Sequence, residues 1–390
     1  MPALSKRLDG FGESVIRQMT RIALQYNAIN LSQGFPDFDP PIELTSSLKN
    51  ISSAGPHQYE ITWGAPLFRQ KLAQKQSAFM NMKINPDENI VVTCGSTEAM
   101  MAAMLSVCEA GDKVVVFSPF YENYGADAIL SGAVPIFVEL KLPDLSFDPA
   151  ELEDALKQGA KAIILCNPSN PTGKVFSYDE LKIISELAKK YDVFVITDEV
   201  YEHIVYKPYK HIYTASLEGM FERTISCSSL SKTYSITGWR LGYIIAPKNV
   251  IDVCKKVHDF LTVGAAAPLQ HAAIAGLIFD NAYYDNLALQ YERKRTIFLN
   301  ALTDAGLTFL KPQGAYYTLV DIEKINPYKT DLEFCKWLIK EVGVAAVPGS
   351  SFFHKKVNKY IRFHFAKKEE TLIEAGKRLA GLREKLKAGK

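Results

Sequence analysis

The chain has 390 residues, 47% of them hydrophobic, and its 45 lysines and arginines stand against 43 aspartates and glutamates for a formal charge of +2. That length exceeds what one growing core usually holds, so two domains are expected, and the near-neutral balance without a long basic run argues against nucleic acid or a membrane surface as partner. The six cysteines (Cys94, Cys108, Cys166, Cys227, Cys254, Cys335) have no paired spacing and sit in apolar stretches, as reduced core thiols do. The seven histidines lack metal-ligand spacing, so no metal is expected; His57, His203 and His364 are candidates for lining a cleft, but satisfied structural histidines are the favoured reading. Met1 to Tyr26 has no uninterrupted apolar core and no window reaches the length of a membrane span; the expectation is a soluble cytoplasmic protein.

In chain order, a helix-like opening runs through Gln25 and reaches Ile29 to Pro41, where three prolines and a glycine exclude a regular helix. An aromatic loop, His57 to Gly64, leads into a predicted helix over Pro66 to Met80. Asn89 to Thr93 then reads as a strand, Cys94-Gly95-Ser96-Thr97-Glu98 as a turn, and Ala99 to Cys108 as a helix. Small residues at a helix start leave backbone N–H groups free for an anion, which makes Ser96 and Thr97 candidate phosphate ligands. The pattern repeats through strand Lys113 to Phe117, helix Glu122 to Leu130 and strand Val134 to Glu139. Between the first two lies Pro119-Phe120-Tyr121-Glu122-Asn123-Tyr124, an aromatic face suited either to stacking on a flat ring or to core packing.

Lys161 to Cys166 is a further apolar strand and runs into Asn167-Pro168-Ser169-Asn170-Pro171, a rigid turn that leaves amide side chains projecting. Ser177 and Glu180 form a capping-box signature for the next helix. Val193 to Thr197 ends in Asp198-Glu199-Val200-Tyr201. A carboxylate there either faces a cationic ring nitrogen or caps a following helix.

The stretch with the strongest chemistry is Ser228 to Tyr243, after the strand-like Thr224 to Cys227. Lys232 is flanked by hydroxyl residues and Arg240 follows eight positions on. Lysine forms a Schiff base with an aldehyde, and a serine and an arginine suit a phosphate, so Ser229, Lys232 and Arg240 together suggest pyridoxal phosphate. Taken alone, Ser-X-Ser-Lys reads equally as an exposed loop. Further on, Tyr243 to Ala246 reads as a strand and Asn249 to Leu261 as a helix. A long amphipathic helix from about Asn286 to Ala305 is suited to joining two domains. Strands at Ala315 to Val320 and Tyr360 to Phe365, with helices at Asp331 to Val342 and Glu369 to Lys387, form a smaller α/β unit. Neither G-X-G-X-X-G nor a Walker-type loop occurs.

Together these motifs, in this order and over nearly the whole chain, resemble the class I aminotransferases of pyridoxal-phosphate fold type I. The Gln33-Gly34-Phe35-Pro36-Asp37-Phe38 segment looks most like the kynurenine, glutamine and methionine transaminase branch. The resemblance implies an α/β fold with a mostly parallel central sheet in a large cofactor domain (46–285) and a smaller α/β domain (1–45 and 286–390). It implies Lys232 as the lysine that holds the cofactor aldehyde and then serves as general acid and base. Ser229 and Arg240 fall on the cofactor phosphate, with Ser96 and Thr97 beside them, and Asp198 on the pyridinium nitrogen. Tyr201 and Asn170 fall on the ring's phenolic oxygen and Tyr121 on its face. Tyr59 reaches the neighbouring subunit's cofactor in a homodimer with shared sites, while Arg362 clamps the substrate α-carboxylate with Gly34 beside it, where a side chain would obstruct it.

The expected reaction moves an amino group from an L-amino acid to a 2-oxo acid. Phe11, Phe35, Tyr59, Trp63 and Tyr124 suggest an apolar pocket for aromatic, methionine, glutamine or kynurenine-like donors, and no second cation for a distal carboxylate is assignable. An aspartate-type enzyme, a carbon–sulfur β-lyase acting on cysteine conjugates and an aminocyclopropane carboxylate synthase-like enzyme share the same lysine chemistry and stand as alternatives. A non-enzymatic pyridoxal-phosphate sensor fused to a DNA-binding domain is disfavoured.

Overall fold

The computed structural model describes Leu4, Lys6 and residues 12–388. Seven strands form its central sheet, in the order Ile90–Thr93, Gly242–Ile245, Thr224–Ser229, Phe194–Asp198, Ala160–Cys166, Lys113–Ser118 and Val134–Glu139. All are parallel except Gly242–Ile245, which is antiparallel to both neighbours. Strands covered on both faces lose the polar half of the usual alternation, which is why these segments read as continuous apolar runs.

Ala160–Cys166 illustrates the packing. Ala162, Ile164 and Cys166 enter the core beneath helices Ser96–Val107 and Lys248–Thr262, whereas Ile163 and Leu165 enter the core beneath Pro149–Lys157 and Tyr178–Lys190. Because successive side chains point to opposite faces, one strand serves two cores. Ile163→Ala is expected to cost about 2–5 kcal/mol, since both its neighbours are fixed by the sheet.

A second, antiparallel sheet has the order Val347–Pro348, Tyr360–His364, Tyr317–Asp321, Thr308–Phe309. Its core gathers Phe298, Phe334, Leu338, Phe363, Leu372 and Leu379, together with Met19 and Leu31 from the opening segment. Val200, Tyr201, Ile204 and Tyr206, which follow directly on Asp198, belong to this same core. The end of one central strand is thereby anchored in the smaller sheet's packing.

Several helices match their signals. Pro66–Met80 runs as expected, and both halves of the Ser177–Glu180 capping box form. The long helix starts earlier than expected, at Asn281, where the Asp280 side chain accepts from the Tyr283 N–H. Two boundaries are corrected. The C-terminal helix is two, Glu369–Ala380 and Leu382–Ala388, separated at Gly381, a residue with low helix propensity. Asp331–Trp337 is α-helical, but Leu338–Val342 widens into a π-turn that ends on Gly343 at φ +77°. Helices Ile42–Ala54 and Ala267–Leu277 carry no periodicity strong enough to have been read.

Candidate active site

In an open α/β sheet the carboxyl ends of parallel strands are where ligands bind, because helix N-termini and loop side chains converge there. Here Thr93 leads to Gly95, Ser96 and Thr97; Ser118 to Tyr121; Cys166 to Asn170. Phe194–Asp198 ends on Asp198, with Tyr201 just beyond, and Ser229 leads to Lys232. These groups line one cleft of about 1330 Å³, whose other wall carries Ile16, Gly34, Phe35, Tyr317 and Arg362. Eleven of the twelve expected site residues therefore meet in one place. Asp198 is a strand-end carboxylate in the cleft and not a helix cap.

Lys232 extends its Nζ to the carbonyl oxygen of Gly34 at 3.2 Å and has no carboxylate in contact. Burial lowers its pKa to about 8, helped by the Arg240 and Arg362 cations and opposed by Asp198. An amine with its pKa lowered that far has a much larger neutral, nucleophilic fraction near physiological pH than an ordinary lysine.

Asp198 is buried, and burial raises its pKa, while the Tyr124 hydroxyl, the Val200 N–H and Lys232 favour the charged form. Tyr124 donates to its Oδ2 at 2.7 Å. The remaining capacity of the carboxylate is available to a buried cation.

The anion cradle is built by close backbone approach. Gly95, at φ +85°, admits no side chain, since a Cβ would lie 2.3 Å from Arg240 Nη2. A Cβ on Gly242 would strike the Gly95 carbonyl carbon at 2.3 Å. Arg240 itself sits in the left-handed region at φ 54° and is tethered by the Thr237 carbonyl, 3.1 Å from Nη1. Its guanidinium stands beside the first turn of Ser96–Val107, whose leading N–H groups have no intrahelical partners. Ser229 is buried at the adjacent strand end.

Arg362 is 1% exposed and lies between the rings of Tyr317 and Phe352, 4.4 and 4.6 Å from their centroids. Nη1 donates to Asn170 Oδ1 and Nη2 to the Ser32 carbonyl, each at 2.7 Å, while Nε has no partner. The Tyr201 hydroxyl meets that of Tyr317 at 2.9 Å. A buried orphan N–H beside a cleft is an invitation to an anionic ligand.

Tyr317 was not among the expected residues. Its signal is the antiparallel register: Tyr317 pairs with His364, so Arg362, two positions away, lies diagonally on the same face. Tyr317 also explains Gly34, where a Cβ would lie 2.1 Å from the Tyr317 hydroxyl. A clash within the protein thus stands beside the expected reason, obstruction of a substrate carboxylate.

Tyr59 is 86% exposed and does not line the cleft of its own chain, as a residue serving a neighbouring subunit need not. Other expectations are corrected. Of the proposed pocket aromatics, Phe35 lines the cleft, Trp63 lies under the Lys255 ammonium, Tyr124 serves Asp198, and Phe11 falls outside the described residues. None of His57, His203 and His364 reaches the cleft: His57 is exposed, and the other two are buried in side-chain packing. Cys94 is only half-buried and borders the cleft, unlike the other five thiols.

A lysine with a lowered pKa, a buried carboxylate across from it, a cationic cradle of close backbone approach and an orphaned guanidinium N–H together fit pyridoxal phosphate and an amino acid. The comparisons agree. A family model described as aminotransferase class I and II matches residues 26–379. Methionine aminotransferase of Escherichia coli strain K12 is 37% identical over 377 residues, covering 96% of this chain and 97% of the relative. Kynurenine–oxoglutarate transaminase 3 of Bos taurus is 34% identical over 404 residues, covering 95% and 88%. Among solved structures, an Escherichia coli methionine aminotransferase superposes with a TM-score of 0.93 at 36% identity, over 98% of this chain and 100% of that one. The N-succinyldiaminopimelate aminotransferase of Mycobacterium tuberculosis reaches 0.94 at 33%, over 97% and 100%. The chain therefore belongs to the class I and II aminotransferases and is a pyridoxal-phosphate-dependent transaminase.

Proposed function

We propose that the enzyme transfers the amino group of L-amino acids with aromatic, methionine, glutamine or kynurenine-like side chains to a 2-oxo acid. Two of the relatives named above are a methionine aminotransferase and a kynurenine–oxoglutarate transaminase. The observation that carries the reading is the lining around Arg362. Ile16 packs in one cluster with Phe352, the ring that stacks on the guanidinium, and Tyr121 packs against that cluster. An apolar wall favours an uncharged side chain over a distal carboxylate.

Arg362 holds the α-carboxylate, and a planar fork already fixed by two partners and two rings needs little reorganisation to do so. Ser229, Arg240, Ser96 and Thr97 take the cofactor phosphate, and Asp198, oriented by Tyr124, keeps a ring nitrogen protonated. Tyr201 and Asn170 serve the ring's phenolic oxygen and Tyr121 its face. Bound there, pyridoxal phosphate supplies an aldehyde and an electron-withdrawing ring. Lys232, once its amine is free, takes the proton from the substrate Cα and returns it as general acid.

The same proposal includes a homodimer in which Tyr59 reaches the partner's cofactor. Supporting it, Tyr59, Phe260 (91% exposed) and Leu261 leave aromatic and aliphatic surface open to solvent, and Leu261 also borders the cleft. A large unit of 46–285 and a smaller one of 1–45 with 286–390 accord with the two sheets. A cytoplasmic location accords with six free thiols.

The test is kcat/KM for methionine, kynurenine, glutamine, phenylalanine and aspartate with a common 2-oxo acid. Aspartate is expected to be at least tenfold the poorest; equal rates would overturn the reading. One observation favours an aspartate-type enzyme: Arg17 borders the cleft. If Arg17→Ala selectively removes aspartate turnover, that alternative stands.

A further inference from the structure

The cradle turn needs something to hold it. Glu98, in the first turn of Ser96–Val107, reaches back so that its Oε2 accepts from the Cys94 N–H at 2.5 Å. Its Oε1 lies 2.6 Å from His258 Nδ1 and accepts from Thr262 Oγ1 at 3.2 Å. His258, fully buried on helix Lys248–Thr262, places Nε2 3.0 Å from the Thr62 carbonyl oxygen. A carbonyl only accepts, so Nε2 carries a hydrogen, and the contact at Nδ1 is either a carboxylate receiving an imidazolium proton or a carboxylic acid donating to a neutral ring. Both forms give a net-neutral pair with every nitrogen satisfied.

Thr62 lies three residues after Tyr59, in the loop that ends at Gly64. Gly264, just past the same helix, is packed against Thr62, where its Cβ would lie 3.5 Å from the carbonyl oxygen. Cys94 Sγ donates to the Gly264 carbonyl at 3.8 Å. One buried pair thus touches two segments at once: the cradle on one side and the Tyr59 loop on the other.

We propose that Glu98 and His258 are positioning residues that lock the phosphate-binding turn and the Tyr59 loop into one frame, so that each subunit's grip on its own cofactor phosphate and its reach toward the partner's are set together. This rests on the assignment of Ser96, Thr97, Ser229 and Arg240 to the cofactor phosphate and of Tyr59 to the partner's. Glu98 borders the cleft, but both its carboxylate oxygens are turned to Cys94, His258 and Thr262, so the pair acts on where the phosphate donors stand. It also keeps the Glu98 charge from opposing an anion nearby, because the carboxylate is matched by an imidazole proton and two further donors.

The experiment strips the full-length protein of cofactor and titrates it with pyridoxal 5′-phosphate and, separately, with pyridoxal, following the absorbance change as Lys232 reacts. Glu98→Gln is expected to weaken pyridoxal phosphate by about 10- to 100-fold, the range for losing hydrogen bonds to a charged group. Pyridoxal, which has no phosphate, is expected to change less than about threefold. Thr262→Val, which spares the ion pair and keeps the fold safe, shifts the ratio of the two affinities in the same direction by less. Unchanged affinity in both variants, or equal losses for the two aldehydes, overturns the proposal. Arg240→Ala separates the underlying assignment: if it leaves the preference for the phosphorylated aldehyde intact, the cradle itself is misassigned. Finally, Tyr59→Phe is expected to cost less in the Glu98→Gln background than alone; strict additivity would overturn the coupling of the loop to the pair.

Discussion

Two lysines withdrawn from solvent, Lys75 fully and Lys232 in part, have opposite surroundings. Lys75, on helix Pro66–Met80, places Nζ 2.9 Å from Gln76 Oε1, 2.8 Å from His203 Nε2 and 3.4 Å from Glu202 Oε1, over the rings of Phe79 and Tyr284. Glu202 in turn accepts from Tyr213 at 2.6 Å, Tyr243 at 3.1 Å and Gln76 at 3.0 Å. Burial opposes ionisation of Glu202, but Lys75, His203, Tyr213 and Gln76 hold its carboxyl below the usual range. Lys232 is surrounded by the opposite arrangement: one carbonyl, two guanidinium groups nearby, and a carboxylate that does not touch it. A paired lysine is a structural charge, and an unpaired one beside cations is a reagent. Burial alone does not distinguish them.

The comparison breaks most readily at Lys232. Lys232→Ala is expected to lower transamination by about 10⁴-fold, the upper range for a removed general base, in single-turnover kinetics with methionine. Lys75→Gln should leave turnover per folded molecule unchanged, and a comparable loss there would erase the distinction. Arg362→Lys keeps the charge but loses the fork, and kcat/KM is expected to fall roughly 10²- to 10³-fold, read in the same assay.

Stability sharpens the contrast in the other direction. Lys75→Ala strands the Glu202 carboxylate and is expected to cost about 3–5 kcal/mol in urea unfolding. Lys232→Met is expected to stabilise the cofactor-free protein at pH 7. The folded pKa near 8 lies below the unfolded value near 10.4, so the unfolded chain binds the proton more tightly, and the lysine's cost is present in full below about pH 8. That advantage of the variant should shrink as pH rises from 8 toward 10.4; a pH-independent difference would contradict it. The smallest effect is Tyr124→Phe, which removes one donor to Asp198 and is expected to lower kcat about tenfold.

The chain's local patterns carry much of this. Hydrophobic runs ending in small or polar residues locate the parallel strands, and Asp198 at a strand end and Lys232 just past one stand out as charged residues that need a purpose, whereas Arg362, inside Tyr360–His364, is legible only through the family resemblance. What the patterns do not carry is contact across sequence distance. The Tyr124–Asp198 bond spans 74 residues, the Tyr201–Tyr317 contact 116 and the Glu98–His258 contact 160. Each depends on strand order and helix placement, and neither the antiparallel insertion of Gly242–Ile245 nor the crossovers follow from periodicity. Tyr59 illustrates the other gap: its ring is exposed in one chain, so the proposed role across subunits has no trace in contacts within that chain.

The guanidinium between Tyr317 and Phe352 has a consequence for selectivity. Held by two rings and two oxygen acceptors, it has almost no rotamer freedom left for a ligand to remove, so a carboxylate gains its full hydrogen-bond energy on arrival. The converse matters more. A primary amine of the same shape but without a carboxylate would seal the Nε–H away from water with nothing to receive it, and a site built to bond a missing group rejects its analogue far more strongly than any steric wall could. With Arg362 in the carboxylate-holding role proposed above, discrimination between amino acids and simple amines would rest on an unanswered donor.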